Sequence, residues 1–291
     1  MAIVVITGCS TGIGFITAQL FAGKGHKVYA TMRKPEKCPS LQALTKKENL
    51  PIVIVPMDVN EEASVKKAIE IILSKEGRVD VLVNNAGIAG SGAVEELPVE
   101  LFKSTMETNY FGTLRCIKEV LPNMRERKNG CIINVCSVAG RLFSYFHAPY
   151  CASKAALEAL SECLAQEVHP FNIRIAIVEP GIVRTSIFNK DNGKNNTTHY
   201  PNLKRFKAFF KASLEKNISP EIVACVILEI AEGRIHRLRN TVGVDAHNLI
   251  SWRAAMSDED WLTSQNIDDD ATWSENIQQL FDLNIRRYLK I

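Results

Sequence analysis

The stretch "AIVVITGCSTGIG", residues 2–14, runs from six strand-like residues straight into glycines at positions 8, 12 and 14. A run that short, apolar on both faces and rich in Val and Ile, reads as a buried parallel strand. It meets its turn too early to be a secretory leader. A helical pattern follows near 12–24. Gly8, Gly12 and Gly14 therefore stand where a strand hands over to a helix, whose free N–H groups and dipole favour an anion such as a pyrophosphate. Three glycines in eight residues also make a tight turn without any ligand. Their place between first strand and first helix favours the nucleotide, although the spacing is GxxxGxG and not GxGxxG.

Outward from this turn, strand-like runs alternate with helical ones. "KVYATM" (27–32), "PIVIVPMDV" (51–59), "VDVLVNNAG" (79–87), "CIINVCS" (131–137) and "NIRIAIVEPG" (172–181) are Val/Ile-rich, and "LRNTVGVDA" (238–246) supplies a last strand. Helices are expected near 61–74, 98–127 and 148–169. That alternation implies right-handed crossovers and a doubly wound Rossmann-like α/β sheet. With no Pro/Gly-rich linker and no internal repeat, residues 1–291 read as one domain. Residues 186–200, polar and rich in Asn and Gly, read as a mobile loop.

Of the 291 residues 46% are hydrophobic and 23% charged, with a formal net charge of +3. That is ordinary globular composition. It shows no basic block for nucleic acid, and "LKRFKAFFK" is more simply a solvated helix face. No apolar run approaches the roughly 18 residues of a membrane span. The eight cysteines show no metal-ligand spacing, and free thiols in a reducing cytoplasm are expected. Neither the six histidines nor "DDD" (268–270) forms a metal site, the latter reading as a solvated turn that caps the next helix. A GxSxG elbow is absent, which removes the serine-hydrolase reading.

At the end of the second strand Met32 stands where an acid would hold a ribose 2′-hydroxyl, and Arg33 and Lys34 follow. A missing acid with two cations points to a 2′-phosphate, hence to NADP(H) over NAD(H). Farther on, "YCASK" (150–154) sets a tyrosine and a lysine one helical turn apart. Tyr200 and Lys204 repeat the spacing, so the spacing alone decides nothing.

In chain order, TGxxxGxG, NNAG (84–87), Asn109, Ser137, YxxxK (150–154) and the "PG" of 180–181 resemble the short-chain dehydrogenases/reductases over about residues 2–245. "TGCSTGIG", "VYATMR" and "YCASKAALEAL" are most similar to the branch holding 17β-hydroxysteroid and retinol dehydrogenases. The resemblance implies a seven-stranded parallel sheet and an NADP(H)-dependent oxidoreductase acting on an alcohol/carbonyl pair. It implies that Gly8, Ser10, Ile13 and Gly14, with Thr11 and Gly12 of the same turn, line the pyrophosphate and ribose. Asp58 and Val59 would lie beside the adenine, and Asn85, Ala86 and Gly87 beside its ribose. Pro180, Gly181, Val183 and Thr185 would hold the nicotinamide. Tyr150 becomes the acid/base and Lys154 its electrostatic partner, which lowers the phenol pKa and also binds the nicotinamide ribose. Ser137 would hydrogen-bond the substrate oxygen, and Asn109 would hold a relay water, unless it is merely a polar residue satisfied within a helix. Tyr200 precedes a proline and has Ile187, not a serine, thirteen residues upstream, so it is the decoy.

A non-catalytic NADP-binding redox sensor is the alternative, disfavoured because such proteins usually lose the Tyr or Lys. Sugar-nucleotide epimerases share YxxxK but carry TGxxGxxG and a larger C-terminal domain. A lipophilic small-molecule substrate is expected, with residues 182–215 closing over it. Its aromatic walls would be Phe143, Tyr145 and Phe206, although these rings would serve equally as core or subunit interface. The extension 246–291 should hold an amphipathic helix through Trp273, Ile277, Leu280 and Phe281, serving either as a second lid or as an interface. A homodimer or homotetramer is the expected assembly.

Overall fold

The computed structural model describes residues 1–187, 198–216, 218–264 and 269–289. Residues 188–197 of the expected mobile loop, and Asp268, lie outside the described residues.

Seven parallel strands form one sheet: β1 (Ile3–Thr7), β2 (Lys27–Met32), β3 (Ile52–Pro56), β4 (Val81–Asn84), β5 (Gly130–Val135), β6 (Ile173–Pro180) and β7 (Arg239–Val242). Their order is β3-β2-β1-β4-β5-β6-β7. Alternate residues serve opposite faces. Val4, Ile6 and Val28 pack with Phe21 and Ile227, from α1 (Gly12–Gly23) and α8 (Pro220–Ala231). Ile3, Val5 and Tyr29 pack with Ile69, Ile72 and Val120, from α3 (Glu62–Glu76) and α5 (Gly112–Arg127). Both faces being covered explains why the central strands read as largely apolar runs. The chain winds one way from β1 to β2 and β3, and the other way from β4 onward. A crevice opens where the loops after β1 and β4 diverge, the usual place for a ligand in such sheets.

Several expectations need adjustment. The stretch 98–127 is continuously helical as expected, but it carries a π-helical turn at Glu107–Phe111 between α4 (Val99–Met106) and α5. A further helix, α2, stands at Pro39–Lys47, where the sequence pattern gives no clear helical signal. The last strand stops at Val242, and residues 244–246 already belong to α9 (Val244–Ala254). Beyond it lie α10 (Asp258–Thr263), α11 (Asp270–Phe281) and α12 (Arg286–Leu289). The amphipathic helix is α11, with Trp273, Ile277 and Phe281 buried as expected, but Leu280 is 44% exposed. These buried side chains join Leu249 of α9, Leu142 after β5, and Ala208 and Ala212 of α7 (Leu203–Glu215) in a third apolar core off the sheet.

All eight cysteines are free, six of them buried. Among the described residues no cluster of His, Cys, Asp or Glu fits a metal ion. No helix among them is long and apolar enough to cross a membrane. Asp269 caps α11 through the Thr272 N–H at 2.7 Å, as read from "DDD". Asp270, however, binds the cations of Lys204 and Arg205, so it is not simply a solvated turn residue.

Candidate active site

A cleft of about 300 Å³ runs along the C-terminal ends of the strands. It is lined by Gly8, Ser10, Thr11, Gly12 and Ile13 of the glycine turn, by Arg33 after β2, and by Asp58 and Val59 after β3. Asn85, Ala86 and Gly87 follow β4, while Pro180 ends β6 and Gly181, Val183 and Thr185 follow it. Ser137, Tyr150 and Lys154 line the same cleft. Three expected site residues do not: Gly14, Asn109 and Phe143 are absent from its walls.

The turn is built for close approach. Gly8 has φ +73°, and a Cβ there would sit 2.8 Å from the Ala86 backbone. Gly14 acts from behind: a Cβ on it would lie 2.4 Å from the Asn85 amide and 2.7 Å from the Gly8 carbonyl. Asn85 itself donates to the carbonyls of Thr7 (2.9 Å) and Gly8 (3.2 Å). The Thr7 hydroxyl accepts from the N–H groups of Asn85 and Ala86, both at 2.9 Å. This Thr7–Asn85 clamp fixes the two lips of the crevice and is not evident from the sequence. Its one trace there is a Thr ending one apolar strand and an Asn directly after another.

Helix α1 begins here without a side-chain cap and without an acid in its first turn. Its N-cap residue, Thr11, pairs with Ser186 at 2.7 Å instead. The first N–H groups of a helix need partners, so an uncapped N-terminus facing a cleft fits the anionic bridge of a dinucleotide. Arg33 is exposed at the cleft wall, and no ion pair holds it among the described residues. Lys34 does not line the cleft.

At the other end, α6 (Ala148–Val168) carries Tyr150 and Lys154 on one face. Phe146, just before it, takes φ +59°, a costly conformation for an aromatic residue. His147 then stacks on the Tyr150 ring, centroids 4.9 Å apart. Lys154, 4% exposed as a residue, donates its ammonium to the Val135 carbonyl at 2.8 Å, with the nitrogen 5.6 Å from the Tyr150 ring centre. Burial pulls its pKa down, opposed by Cys136 and Glu158. The expected lowering of the Tyr150 pKa by Lys154 is not what the protein's own groups produce. Burial pushes the phenol well above its usual value, Cys136 adds to this, and hydrogen bonding from Ser137 pulls only weakly the other way. Ser137, at the head of the turn after β5, accepts from the Ala139 N–H at 3.2 Å.

Asn109 is fully buried in the π-helical turn. Its side chain accepts from the Ile88 N–H (2.9 Å) and donates to the Ile88 carbonyl (3.0 Å) and the Ser153 hydroxyl (2.9 Å). Ser153 in turn donates to the Tyr150 carbonyl at 2.8 Å. The side chain is a strap between the loop after β4 and α6. Asp245 is a further residue that no sequence motif marks: it accepts from the Ile182 N–H at 2.7 Å and so pins the turn after Pro180. Burial pushes its pKa up against that bond.

The decoy pair separates completely. Tyr200 donates to Glu95 at 2.5 Å, while Lys204 binds Asp270. Of the aromatic wall, Tyr145 and Phe206 line the cleft, and both also pack with Phe146 and Phe210. Phe143 is 55% exposed and turned outward, with Leu142 lining the cleft in its place.

Residues 2–196 match the family model for short chain dehydrogenase. The chain belongs to the short-chain dehydrogenases. Within this oxidoreductase family it is 42% identical over 191 residues to the 3-ketodihydrosphingosine reductase of Bacteroides thetaiotaomicron, covering 65% of this chain and 67% of that one. It is 35% identical to bovine retinol dehydrogenase 8 over 86% of this chain and 84% of the other, in keeping with the branch its motifs resemble. Among solved structures, a short-chain dehydrogenase from Streptomyces avermitilis superposes with a TM-score of 0.77 at 30% identity, over 96% and 97% of the two chains. A single-substitution variant of actinorhodin polyketide ketoreductase with NADPH gives 0.73 at 26% identity, over 86% and 97%. The family match ends well before α9, so the third apolar core of this short-chain dehydrogenase lies largely outside it.

Proposed function

We propose that this short-chain dehydrogenase is an NADP(H)-dependent oxidoreductase that interconverts a lipophilic carbonyl compound and its alcohol. The observation that carries the reading is that Tyr150, Lys154 and Ser137 share one cleft with the uncapped N-terminus of α1 and with Arg33. A dinucleotide spanning that cleft would rest its pyrophosphate on the glycine turn and its 2′-phosphate beside Arg33 and Ser10. The polyketide ketoreductase with NADPH and the protein ElxO with NADP bound support a phosphorylated nicotinamide nucleotide as ligand. When bound, the nicotinamide supplies or takes up the hydride.

The chain's own residues handle the proton. The Tyr150 phenol carries the proton that a carbonyl oxygen needs, and because burial alone disfavours the phenolate, its release depends on the cations beside it. Ser137 would hold that oxygen through its hydroxyl. Lys154, fixed by Val135, stabilises the phenolate left after proton transfer. Asn109 serves this chemistry by fixing α6. The apolar residues Leu142, Tyr145 and Phe206 around the acid suit a lipophilic substrate. Supporting this, one relative is named a ketodihydrosphingosine reductase and another a retinol dehydrogenase.

Turnover of apolar cyclic ketones and of polar sugars with NADPH, followed by absorbance, tests the reading. Tyr150→Phe is expected to lower turnover at least about 100-fold while nucleotide binding persists. Wild-type turnover by Tyr150→Phe, or preference for the polar set, would overturn it.

A further inference from the structure

The cleft does not end at Tyr150. Beyond Phe206 it continues between α7 and the helices that follow β7. Every described cleft residue contributed after position 245 is apolar: Leu249, Trp252, Trp261, Trp273 and Ile277. The chain contains three tryptophans in all, and all three stand on this one wall. They come from three different helices, α9, α10 and α11, so no local helical repeat explains their meeting.

The wall is braced from behind. Trp252 meets Trp261 edge-to-face with centroids 5.0 Å apart and Phe281 at 5.3 Å. Arg205 lies 5.5 Å over the Trp273 ring and pairs with Asp270 at 2.7 Å, tying α7 to α11. Arg253 covers Trp261 at 5.3 Å. Trp252 and Trp261 nevertheless remain only partly buried. Large aromatic faces held rigid and left partly open to a cleft contribute substantial contact area to an apolar ligand at little entropic cost.

From the polar end at Ser10 and Arg33, through the proton donor, to an end lined by aliphatic side chains and indole rings, the cleft has a direction. We infer that Trp252, Trp261 and Trp273 form a subsite for an extended hydrocarbon tail, carried by the substrate away from its reacting carbonyl. The inference rests on the oxidoreductase reading for which end reacts. The subsite itself is a binding claim that stands apart from turnover.

Tertiary alcohols of the 2-methyl-2-alkanol series test it, because they lack the carbinol hydrogen and cannot be oxidised. Binding to the full chain is read from intrinsic tryptophan fluorescence, whose sources all line the subsite. Each methylene added within the reach of the wall is expected to tighten binding about fourfold. Trp261→Ala should abolish that dependence for the longer members, weakening them at least about tenfold, and leave the shortest unchanged. Trp252→Leu, a smaller excision, should weaken the same members less. Affinities that ignore chain length, or a chain-length series unaltered by both variants, would overturn the subsite. Chain-length-dependent binding without turnover of any ketone would leave the subsite standing and remove the oxidoreductase reading. Turnover of long ketones with a flat binding series would do the reverse.

Discussion

Replacing Asn109 with alanine separates a strap from a proton relay. In the structure the Asn109 side chain satisfies both backbone groups of Ile88 and donates to the Ser153 hydroxyl. Alanine leaves the Ile88 N–H and carbonyl without those partners. Each orphaned group costs about 1–3 kcal/mol, so the pair costs about 2–6 kcal/mol. Water entering the vacated space recovers part of this, and the expected loss is about 2–4 kcal/mol. Ser153 keeps its own bond to the Tyr150 carbonyl, so it adds little. Urea unfolding at 25 °C, with both proteins showing the same denaturant slope, measures the difference. A loss below about 1 kcal/mol would refute the strap argument. If turnover then fell all the same, the side chain would belong to the proton path and not to the scaffold.

Arg33→Ala should weaken NADPH about 10- to 150-fold, the equivalent of a charge-assisted contact at roughly 1.5–3 kcal/mol, and leave NADH nearly unchanged. Because Arg33 is exposed, the effect should shrink with added salt, and calorimetric titration that finds equal losses for both nucleotides would defeat the assignment. Burial pushes the Cys131 thiol up to about 11 and Cys116 up to about 12. Unfolded thiols release protons near pH 9 while these hold theirs, so their contribution is complete below pH 9 and declines as pH rises toward 11. A urea midpoint that stays flat between pH 8 and pH 10.5 would contradict this. Finally, Phe206→Ala should raise KM for apolar ketones, while Phe143→Ala, outside the cleft, should leave kcat/KM within about twofold; equal effects would show that Phe143 reaches the substrate.

What the sequence makes legible follows from where information is local. The strands are visible because burial on both faces removes polar residues from them, and the glycine turn because only glycine tolerates the backbone at Gly8 and the space behind Gly14. The real Tyr–Lys pair is distinguished from Tyr200/Lys204 by its company in the chain, and Glu95 and Asp270 show why the second pair never meets. Contacts between distant segments leave no such trace. Nothing near Asn109 announces that its partners are Ile88 and Ser153, and nothing near Asp245 announces Ile182. The π-helical turn is likewise hidden, since one extra residue in a turn hardly disturbs the periodicity of a long helix. Phe143 misleads because it shares its segment and chemistry with Leu142, and only the backbone path decides which of the two faces inward.

The third apolar core, around Leu249, Trp273 and Phe281, is separate from the two that sandwich the sheet. A domain with segregated cores opens in parts, each with its own free energy. Opening of the helices after β7 as a unit, with loss of the Asp245–Ile182 bond, would then leave the strands, the glycine turn and Tyr150 assembled. Amides in α9 to α11 would then exchange with solvent long before those of β1, β4 and β5. Release of an apolar product would follow the clock of that partial opening, whose rate the wall's packing sets independently of the chemistry beneath it.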